Sequence, residues 1–156
     1  YCPTMQEEAI ALSEKNNYEL VKFDYAIDVL SALKNKQIDN ALIGRKAKLS
    51  EINKDTKETI LKSGYTLVSK KGGFIDSSQL ANYEIYTPLS ESIAENLLPG
   101  DSKIIYLTKE EAIEKISMGK IVLISWEDWN DNYELIVAMK GNEKVKDFRG
   151  AFLYEN

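Results

Sequence analysis

Side chains that could bind a ligand follow several of the apolar runs in this chain. Arg45 comes directly after the apolar run 38–43, and a guanidinium group can hold a carboxylate or a phosphate with two parallel hydrogen bonds. Four lysines follow Arg45 within about a dozen residues, so a solvated basic face explains the same pattern. Arg45 is therefore a candidate for gripping an anion, with a plain surface role as the alternative.

The segment 126–131 combines two tryptophans with three acidic residues. Tryptophan rings stack on other rings and on cations, and the neighbouring carboxylates can hold an amine or a metal cation. The spacing lacks the glycine turn and the terminal glutamate of a calcium loop. A structural role, with Trp126 in the core and Trp129 covering a hinge, also explains the pattern. We take both tryptophans as candidate ligand-binding residues and expect no metal site.

The chain contains no histidine and a single cysteine, Cys2. The absence of histidine excludes Ser-His-Asp and Cys-His catalytic sites, and it excludes imidazole metal ligands. One cysteine excludes a disulfide within the chain and a cysteine-cluster zinc site. Glu127 and Asp131 could form an acid–base pair, but acidic loops are common and nothing completes a catalytic site. We expect a non-enzymatic protein with no catalytic residue and no cofactor.

A formal net charge of −5 and a charged fraction of 29% are typical of an acidic globular protein. Its surface repels nucleic-acid phosphates, so we expect no nucleic-acid partner. No apolar run approaches the roughly 20 residues that a spanning helix needs, so we expect no membrane insertion. Because the sequence opens at Tyr1 rather than at Met, we expect that a leader or residues of a first strand were removed. If a leader was removed, we expect an extracytoplasmic protein. Otherwise we expect a cytoplasmic one.

One pattern of elements occurs twice in the sequence. Residues 18–44 and 102–125 each combine an apolar strand, a helix with one apolar face and a second apolar strand. A helix-like stretch precedes each copy, at 4–15 and 90–98. The repeat predicts two similar α/β halves that face each other. Strand ends that converge on a shared crevice would form a place for a small molecule.

Local signals predict where individual elements begin. The capping-box spacings Thr4–Glu7 and Thr108–Glu111 predict two helix starts, and Asp24 is expected to cap the helix that follows it. The other predicted elements are the tail of a first strand at 1–3, a short helix from 55 or 56 to 62, strands at 65–69, 83–86 and 133–139, and a final segment that packs back through Phe148, Phe152 and Tyr154 as a short helix or strand.

In open α/β sheets, ligands lie beyond the carboxyl ends of the strands, where free N–H groups of helix starts attract anions. The candidate ligand-binding residues are those predicted at such ends, together with the tryptophans: Thr4, Met5, Asp24, Tyr25, Gly44, Arg45, Thr87, Ser90, Thr108, Trp126 and Trp129. An oxyanion or a carboxylate held between Thr4 and Ser90 suits this arrangement. Plain helix capping, which contributes about 1 kcal/mol without a ligand, accounts for the same hydroxyl groups.

The stretch LSALKNKQIDNALIGR at 30–45 resembles the helix-then-strand phrase of the type II solute-binding proteins of ABC importers. The stretch IDSSQLANYEIYTP at 75–88 is similar to the entry into that family's second lobe, and 108–125 resembles the matching phrase of that lobe. The resemblance covers about residues 4–139 through diffuse motifs. The chain is shorter than is usual for the family, and it lacks the C-terminal helices that complete the first lobe.

The resemblance implies a periplasmic-binding-protein type II architecture, an α/β fold of two small lobes with a ligand crevice between them. Lobe 1 would comprise 1–70 plus 132–156, and lobe 2 would comprise 74–128, with hinges near 69–74 and 127–133. The function implied is non-catalytic, reversible binding of a small anionic or zwitterionic solute. The implied partner is the membrane subunit of an ABC transporter.

Two other functions remain open for a chain of this fold. One is a small enzyme, of the kind that acts in cofactor or menaquinone biosynthesis. The other is an effector-sensing regulatory domain separated from a DNA-binding partner. The sequence shows neither a catalytic constellation nor a helix-turn-helix, and fold analogy alone does not establish a function.

Overall fold

The computed structural model describes residues 1–74, 77–137 and 150–156. In these residues the helices and strands are, in chain order, α1 Gln6–Asn16, α2 Ala26–Lys34, β1 Asn40–Ile43, β2 Lys57–Lys62, β3 Tyr65–Ser69, β4 Gly73–Phe74, β5 Glu84–Thr87, α3 Glu91–Leu97, β6 Lys103–Tyr106, α4 Lys109–Ser117, β7 Ile121–Ser125, β8 Glu134–Val137 and β9 Ala151–Glu155. Short 3₁₀ turns lie at Pro3–Met5, Leu49–Glu51, Ser77–Asn82 and Trp126–Asp128.

The chain divides into two compact units. The first unit is Tyr1–Ser63 with Gly150–Asn156, and the second unit is Gly64–Arg149. Strand β3 belongs to the second unit because it pairs with β7 of that unit, and the predicted lobe bounds stay a prediction. The predicted crevice and hinges stay predictions, and much of the predicted return segment 132–156 lies outside the described residues.

Strand β9 lies at the centre of the described sheet of the first unit. It pairs antiparallel with β1 on one side and with β2 on the other. Phe152 and Tyr154 of β9 are fully buried, and so are Val29, Leu30 and Leu33 of α2, which packs on β1. The predicted return of the final segment is thus confirmed as a strand. Phe148 lies outside the described residues.

The prediction of a short helix ending at residue 62 is wrong. Residues Lys57–Lys62 form the strand β2, which pairs with β9 from Lys57 opposite Glu155 onward. A helix of two turns is marginal by itself, because nucleating it fixes several residues for one hydrogen bond. Pairing with a buried central strand satisfies the same backbone groups with tertiary support.

Three other predictions for the first unit also fail locally. The apolar strand predicted at the start of the first copy, residues 18–23, is not a strand of the described sheet. Helix α1 begins at Gln6, because the 3₁₀ turn at Pro3–Met5 precedes it, so Thr4 is not its N-cap. Helix α2 has Tyr25, not Asp24, as its N-cap, with no side-chain cap hydrogen bond.

The described sheet of the second unit has the strand order β4-β8-β3-β7-β5-β6. Strand β5 pairs parallel with β6 and with β7, whereas β3 pairs antiparallel with β7 and β8. The succession β5-α3-β6-α4-β7 supplies the helices that connect these parallel strands. The predicted strand-helix-strand unit at 102–125 is confirmed as β6-α4-β7.

Helices α3 and α4 cover opposite faces of this sheet. Ile85 of β5 belongs to the core cluster that contains Leu97 of α3. The next residue, Tyr86, belongs to the cluster that contains Ile116 of α4, because successive side chains of a strand point to opposite faces. The α/β class is therefore confirmed. No helix in the described part of the chain is long and apolar enough to cross a bilayer.

Candidate functional site

The carboxyl ends of β5, β6 and β7 lie at one edge of the second unit's sheet, because these strands run parallel. Strands β5 and β6 are neighbours, and the helices that follow them pack on opposite faces of the sheet. The topological switch point of this sheet lies beside them, between β5 and β7, because the connection after β5 leads toward β6 and the connection after β7 leads the other way, toward β8. The backbone N–H of Leu107 donates to the carbonyl of Thr87 at 3.0 Å, which ties the two strand ends together.

Both predicted helix starts at this edge are confirmed. The Ser90 hydroxyl accepts from the Ile93 N–H at 3.4 Å. Thr108 and Glu111 form a reciprocal capping box, with both hydrogen bonds at 3.2 Å. The hydrogen bond with Thr108 lowers the pKa of the Glu111 carboxyl below its ordinary value. Ser90 and Thr108 are exposed at the edge, where a solute could reach the helix starts.

Thr87 has a structural role that the sequence pattern does not reveal. Its side chain is fully buried at the end of β5. The hydroxyl donates to the carbonyl of Leu123 at 2.8 Å and accepts from the N–H of Leu89 at 3.1 Å. Both interactions lie within the second unit, so Thr87 shapes the edge and does not present its hydroxyl there.

Trp126 and Trp129 form an aromatic cluster after β7. Trp126 is only 4% exposed, and its ring centroid lies 5.3 Å from that of Trp129. The indole N–H of Trp129 donates to Asp131 at 3.3 Å, and the ring meets Tyr133 edge-on at 6.2 Å. The structure thus gives Trp126 the core role that the sequence left open, while Trp129 is half-buried beside it.

An ion pair links this cluster to the start of α4. The ammonium group of Lys109 lies 2.7 Å from the Asp128 carboxylate. The hydrogen bond that Lys109 donates to Asp128 raises the pKa of Lys109 above its ordinary value. In the described residues, no group of three or more histidine, cysteine or acidic side chains is placed to hold a metal ion.

The candidate residues of the first unit occupy varied environments. Thr4 lies in the turn before α1, and Met5 is buried beneath that helix. Tyr25 is 68% exposed at the start of α2, directly after Asp24. The carbonyl of Gly44 accepts from the N–H of Gly150 at 3.1 Å. The structure therefore gathers Ser90, Thr108 and the buried Thr87 at one edge of the second unit, and the residues named here belong to the first unit.

Arg45 makes a bidentate ion pair with Glu51. Its two terminal nitrogens lie 2.9 and 2.7 Å from the two carboxylate oxygens. Burial acts to raise the pKa of Glu51, but the hydrogen bonds from Arg45 and from the Lys48 backbone outweigh burial, so the pKa lies below its ordinary value. The two parallel hydrogen bonds predicted for an anionic ligand are thus made to a carboxylate of this chain.

The structure also contains a cavity of about 250 Å³ within the first unit, which the sequence analysis does not predict. Its wall includes Tyr1, Leu12 of α1, residues of segment 18–21 and residues 37–40. The available signals were the strand tail predicted at 1–3 and the apolar strand predicted at the start of the first copy, from residue 18. None of the sequence-predicted site residues lines this cavity.

No protein-family model matches this chain, and no curated protein matches it. Among solved structures, it is similar to an ABC-type phosphate transport receptor from Vibrio cholerae, with 13% identity, a TM-score of 0.38 and coverage of 97% of this chain and 82% of that chain. It is similar to the substrate binding protein of an amino acid ABC transporter, with 11% identity, a TM-score of 0.39 and coverage of 97% and 72%. It is also similar to the reduced OxyR regulatory domain from Pseudomonas aeruginosa, with 12% identity, a TM-score of 0.38 and coverage of 99% and 83%. Similarity at this level assigns neither a ligand nor a role to this chain.

Proposed function

We propose that this protein binds a small anionic or zwitterionic solute reversibly and without catalysis, as a solute-binding component related to ABC import. The observation that carries the proposal is the edge at the carboxyl ends of the parallel strands β5, β6 and β7, with exposed helix starts at Ser90 and Thr108. The type II architecture, with a crevice shared by two lobes that close on the solute, belongs to the same proposal. So does a membrane subunit as the partner.

The chemistry of the edge favours a negatively charged group. The first N–H groups of a helix have no partner within the helix, and the helix dipole favours an anion there by about 0.3–1 kcal/mol. Helix α4 begins at this edge with Lys109, whose side chain is 61% exposed and is paired with the Asp128 carboxylate at 2.7 Å. A carboxylate or an oxyanion would meet these donors without the desolvation of any deeply buried charge.

A non-catalytic role agrees with the side chains available at this edge. The chain has no histidine, and the hydroxyl of Thr87 is engaged with the backbone on both sides. Hydroxyl groups and backbone N–H groups can orient a bound anion, but neither is a proton-transferring group near neutral pH.

The proposal is tested by thermal-shift screening followed by calorimetry with phosphate, sulfate, glutamate, arginine and a neutral sugar. A solute at 100 times its dissociation constant stabilises the folded protein by about 2.7 kcal/mol, which is readily detected. We expect at least one anionic or zwitterionic member to stabilise the protein, and the neutral sugar to have no effect. If no member of the panel shifts the unfolding temperature, the proposal fails for these solute classes.

A matched pair of variants locates the site. Ser90→Asn and Ser90→Asp both keep a strong N-cap, but only the aspartate adds a negative charge to the edge. We expect Ser90→Asp to weaken binding of the anion about tenfold, which corresponds to about 1.4 kcal/mol. Ser90→Asn should stay within about twofold of the parent, a difference of roughly 0.4 kcal/mol. Equal affinities for the two variants would place the solute elsewhere.

A further inference from the structure

Strand β6 forms one edge of the described sheet of the second unit, and its outer side is open. It pairs with β5 on one side, and none of the described strands pairs with its other side. Ile104 and Ile105 are half-buried, while Tyr106 is 40% exposed. The unpaired N–H and C=O groups of such an edge are a template for a further strand.

Features that prevent further pairing are limited on β6. At the exposed strand β2 of the first unit, the register shifts between Ile60 and Lys62, and such bulges blunt an edge. Strand β6 keeps one register with β5 from Lys103 to Tyr106. It is short, and its charged residue is the exposed Lys103 at the amino end. A strand that pairs here must therefore meet the ammonium group of Lys103 with an opposite charge.

The outward backbone groups of β6 belong to Ile104 and Tyr106. The N–H of Leu107 donates to a carbonyl of β5, and the backbone groups of successive strand residues point to alternate sides. The groups of Ile104 and Tyr106 therefore point away from β5. The N–H of Ser102, the next outward position, is already bonded to the carbonyl of Pro99 at 3.0 Å.

Two copies of β6 fit each other in antiparallel order with Ile105 opposite Ile105. Ile104 of each copy then exchanges both backbone hydrogen bonds with Tyr106 of the other copy, on either side of a two-fold axis. The faces also agree, because Ile104 packs in the cluster that contains α3 residues and Ile105 in the cluster that contains α4 residues. Like faces of the two sheets therefore adjoin. Centring the pair on Ile104 instead would require the engaged N–H of Ser102.

The charges at the two ends of β6 are complementary in this arrangement. Lys103 of one copy would lie opposite Leu107 of the other, on the α4 face. The Glu111 carboxylate accepts from the N–H of Thr108 at 3.2 Å, so it is held directly after Leu107. The pKa of Glu111 is lowered, and the carboxylate is therefore ionised at neutral pH. Lys103 has no ion pair within the described part of the chain. The two-fold axis would thus give Lys103 of each copy an acidic neighbour.

We propose that the outer edge of β6 binds the same edge of a second copy of this chain, antiparallel and centred on Ile105. The described sheet of the second unit then continues across the two copies. Because β6 has only 4 residues, the interface is small, and the dimer is weak and depends on protein concentration.

Sedimentation velocity over a range of protein concentrations tests the proposal on the full chain. We expect the parent to shift from monomer to dimer as the concentration rises. Lys103→Glu places like charges together and should raise the dissociation constant of the dimer at least about tenfold. Glu111→Gln keeps a residue suited to the capping box and should raise that constant about threefold. Lys103→Arg, the matched control, should stay within about twofold of the parent.

Oxidative crosslinking tests the register. Cys2 is the single cysteine of the chain, so the variants are made in a Cys2→Ala background. Directly opposed residues that are not hydrogen-bonded have Cα atoms about 4.5 Å apart, within the range that a disulfide spans. Ile105→Cys should therefore form a disulfide-linked dimer under mild oxidation. Tyr106→Cys, which lies opposite Ile104 of the second copy, should run as a monomer on a non-reducing gel.

Three outcomes would overturn the proposal. A parent that stays monomeric at every concentration would mean that Lys103 only protects the edge. A dissociation constant unchanged in Lys103→Glu would place the dimer interface on another surface. Equal crosslinking of Ile105→Cys and Tyr106→Cys would exclude the register centred on Ile105.

Discussion

The hydroxyl of Thr87 donates a 2.8 Å hydrogen bond to the backbone carbonyl of Leu123. The bond joins the carboxyl end of β5 to the middle of the parallel strand β7, and it is buried. The same oxygen accepts from the N–H of Leu89, which fixes the turn that leads to α3. A residue that the sequence offers as a ligand contact thus positions the edge at which a ligand is proposed to bind.

Replacing Thr87 with valine tests this role. Valine has nearly the same shape as threonine but leaves the N–H of Leu89 without its partner, so we expect the free energy of unfolding to fall by about 1–3 kcal/mol. Thr87→Ser keeps the hydroxyl and should cost only about 1 kcal/mol for the lost methyl group. Urea unfolding measures both variants. A Thr87→Val variant as stable as the parent would contradict the assignment.

The Arg45–Glu51 pair predicts how stability depends on acid. The pKa of Glu51 is lowered in the folded protein, so the pair stabilises the fold fully above the unfolded carboxyl pKa. That stabilisation is lost as the pH falls through the lower folded pKa. In Glu51→Gln the free energy of unfolding should depend less on pH in acid, and it should be lower than that of the parent at neutral pH by about 1–2 kcal/mol.

The control for that experiment is Lys46→Met. The ammonium group of Lys46 lies 3.8 Å from Glu58 in a more exposed pair, which is worth less than about 1 kcal/mol. Unfolding by urea at several pH values compares the variants. Parallel stability–pH curves for Glu51→Gln and the parent would rule out Glu51 as the source of the acid-side loss.

The two tryptophans should report different environments. In Trp129→Phe the remaining Trp126 is buried, so we expect blue-shifted emission and weak quenching by acrylamide. In Trp126→Phe the half-buried Trp129 should be quenched severalfold more strongly. Steady-state fluorescence measures both, and equal quenching would disagree with the structure.

Trp129→Ala separates packing from ligand contact. Loss of the ring contacts with Trp126 and Tyr133 should lower the free energy of unfolding by about 1–3 kcal/mol. If Trp129 also stacks on the solute, binding weakens by about 1–3 kcal/mol, the range for aromatic stacking on a planar ligand. Calorimetry on the folded variant measures the dissociation constant of the solute. An unchanged dissociation constant would show that Trp129 is not part of the site.

The capping box of α4 gives a further prediction. Thr108→Ala removes the acceptor for the N–H of Glu111, so we expect a loss of about 1 kcal/mol. Thr108→Ser retains the hydroxyl, so its free energy of unfolding should differ from that of the parent by only a few tenths of the loss seen in Thr108→Ala. Thermal unfolding of the two variants provides the measurement, and equal losses would show that the methyl group, not the hydroxyl, is responsible.

Elements whose signals are local can be predicted from the amino-acid pattern alone. The capping box at Thr108 and the cap at Ser90 act over three residues, and the glycine stop after α4 requires only that Gly119 take a positive φ, here 80°. The helical spacing of Ala112 and Ile116 sets the buried face of α4. These features need no partner that is distant in the chain, so the sequence pattern indicates them directly.

Features that depend on partners far apart in the chain follow from the tertiary fold. Residues 57–62 form a strand because β9, almost a hundred residues later, pairs with them. Arg45 forms an ion pair because Glu51 lies close to it across a turn. The hydroxyl of Thr87 can be buried because the carbonyl of Leu123 accepts its hydrogen bond. The cavity beside Tyr1 exists because α1, segment 18–21 and β1 enclose it. Periodicity and capping describe one element at a time, whereas pairing and burial depend on which elements meet, and that is set by the packing of the whole unit.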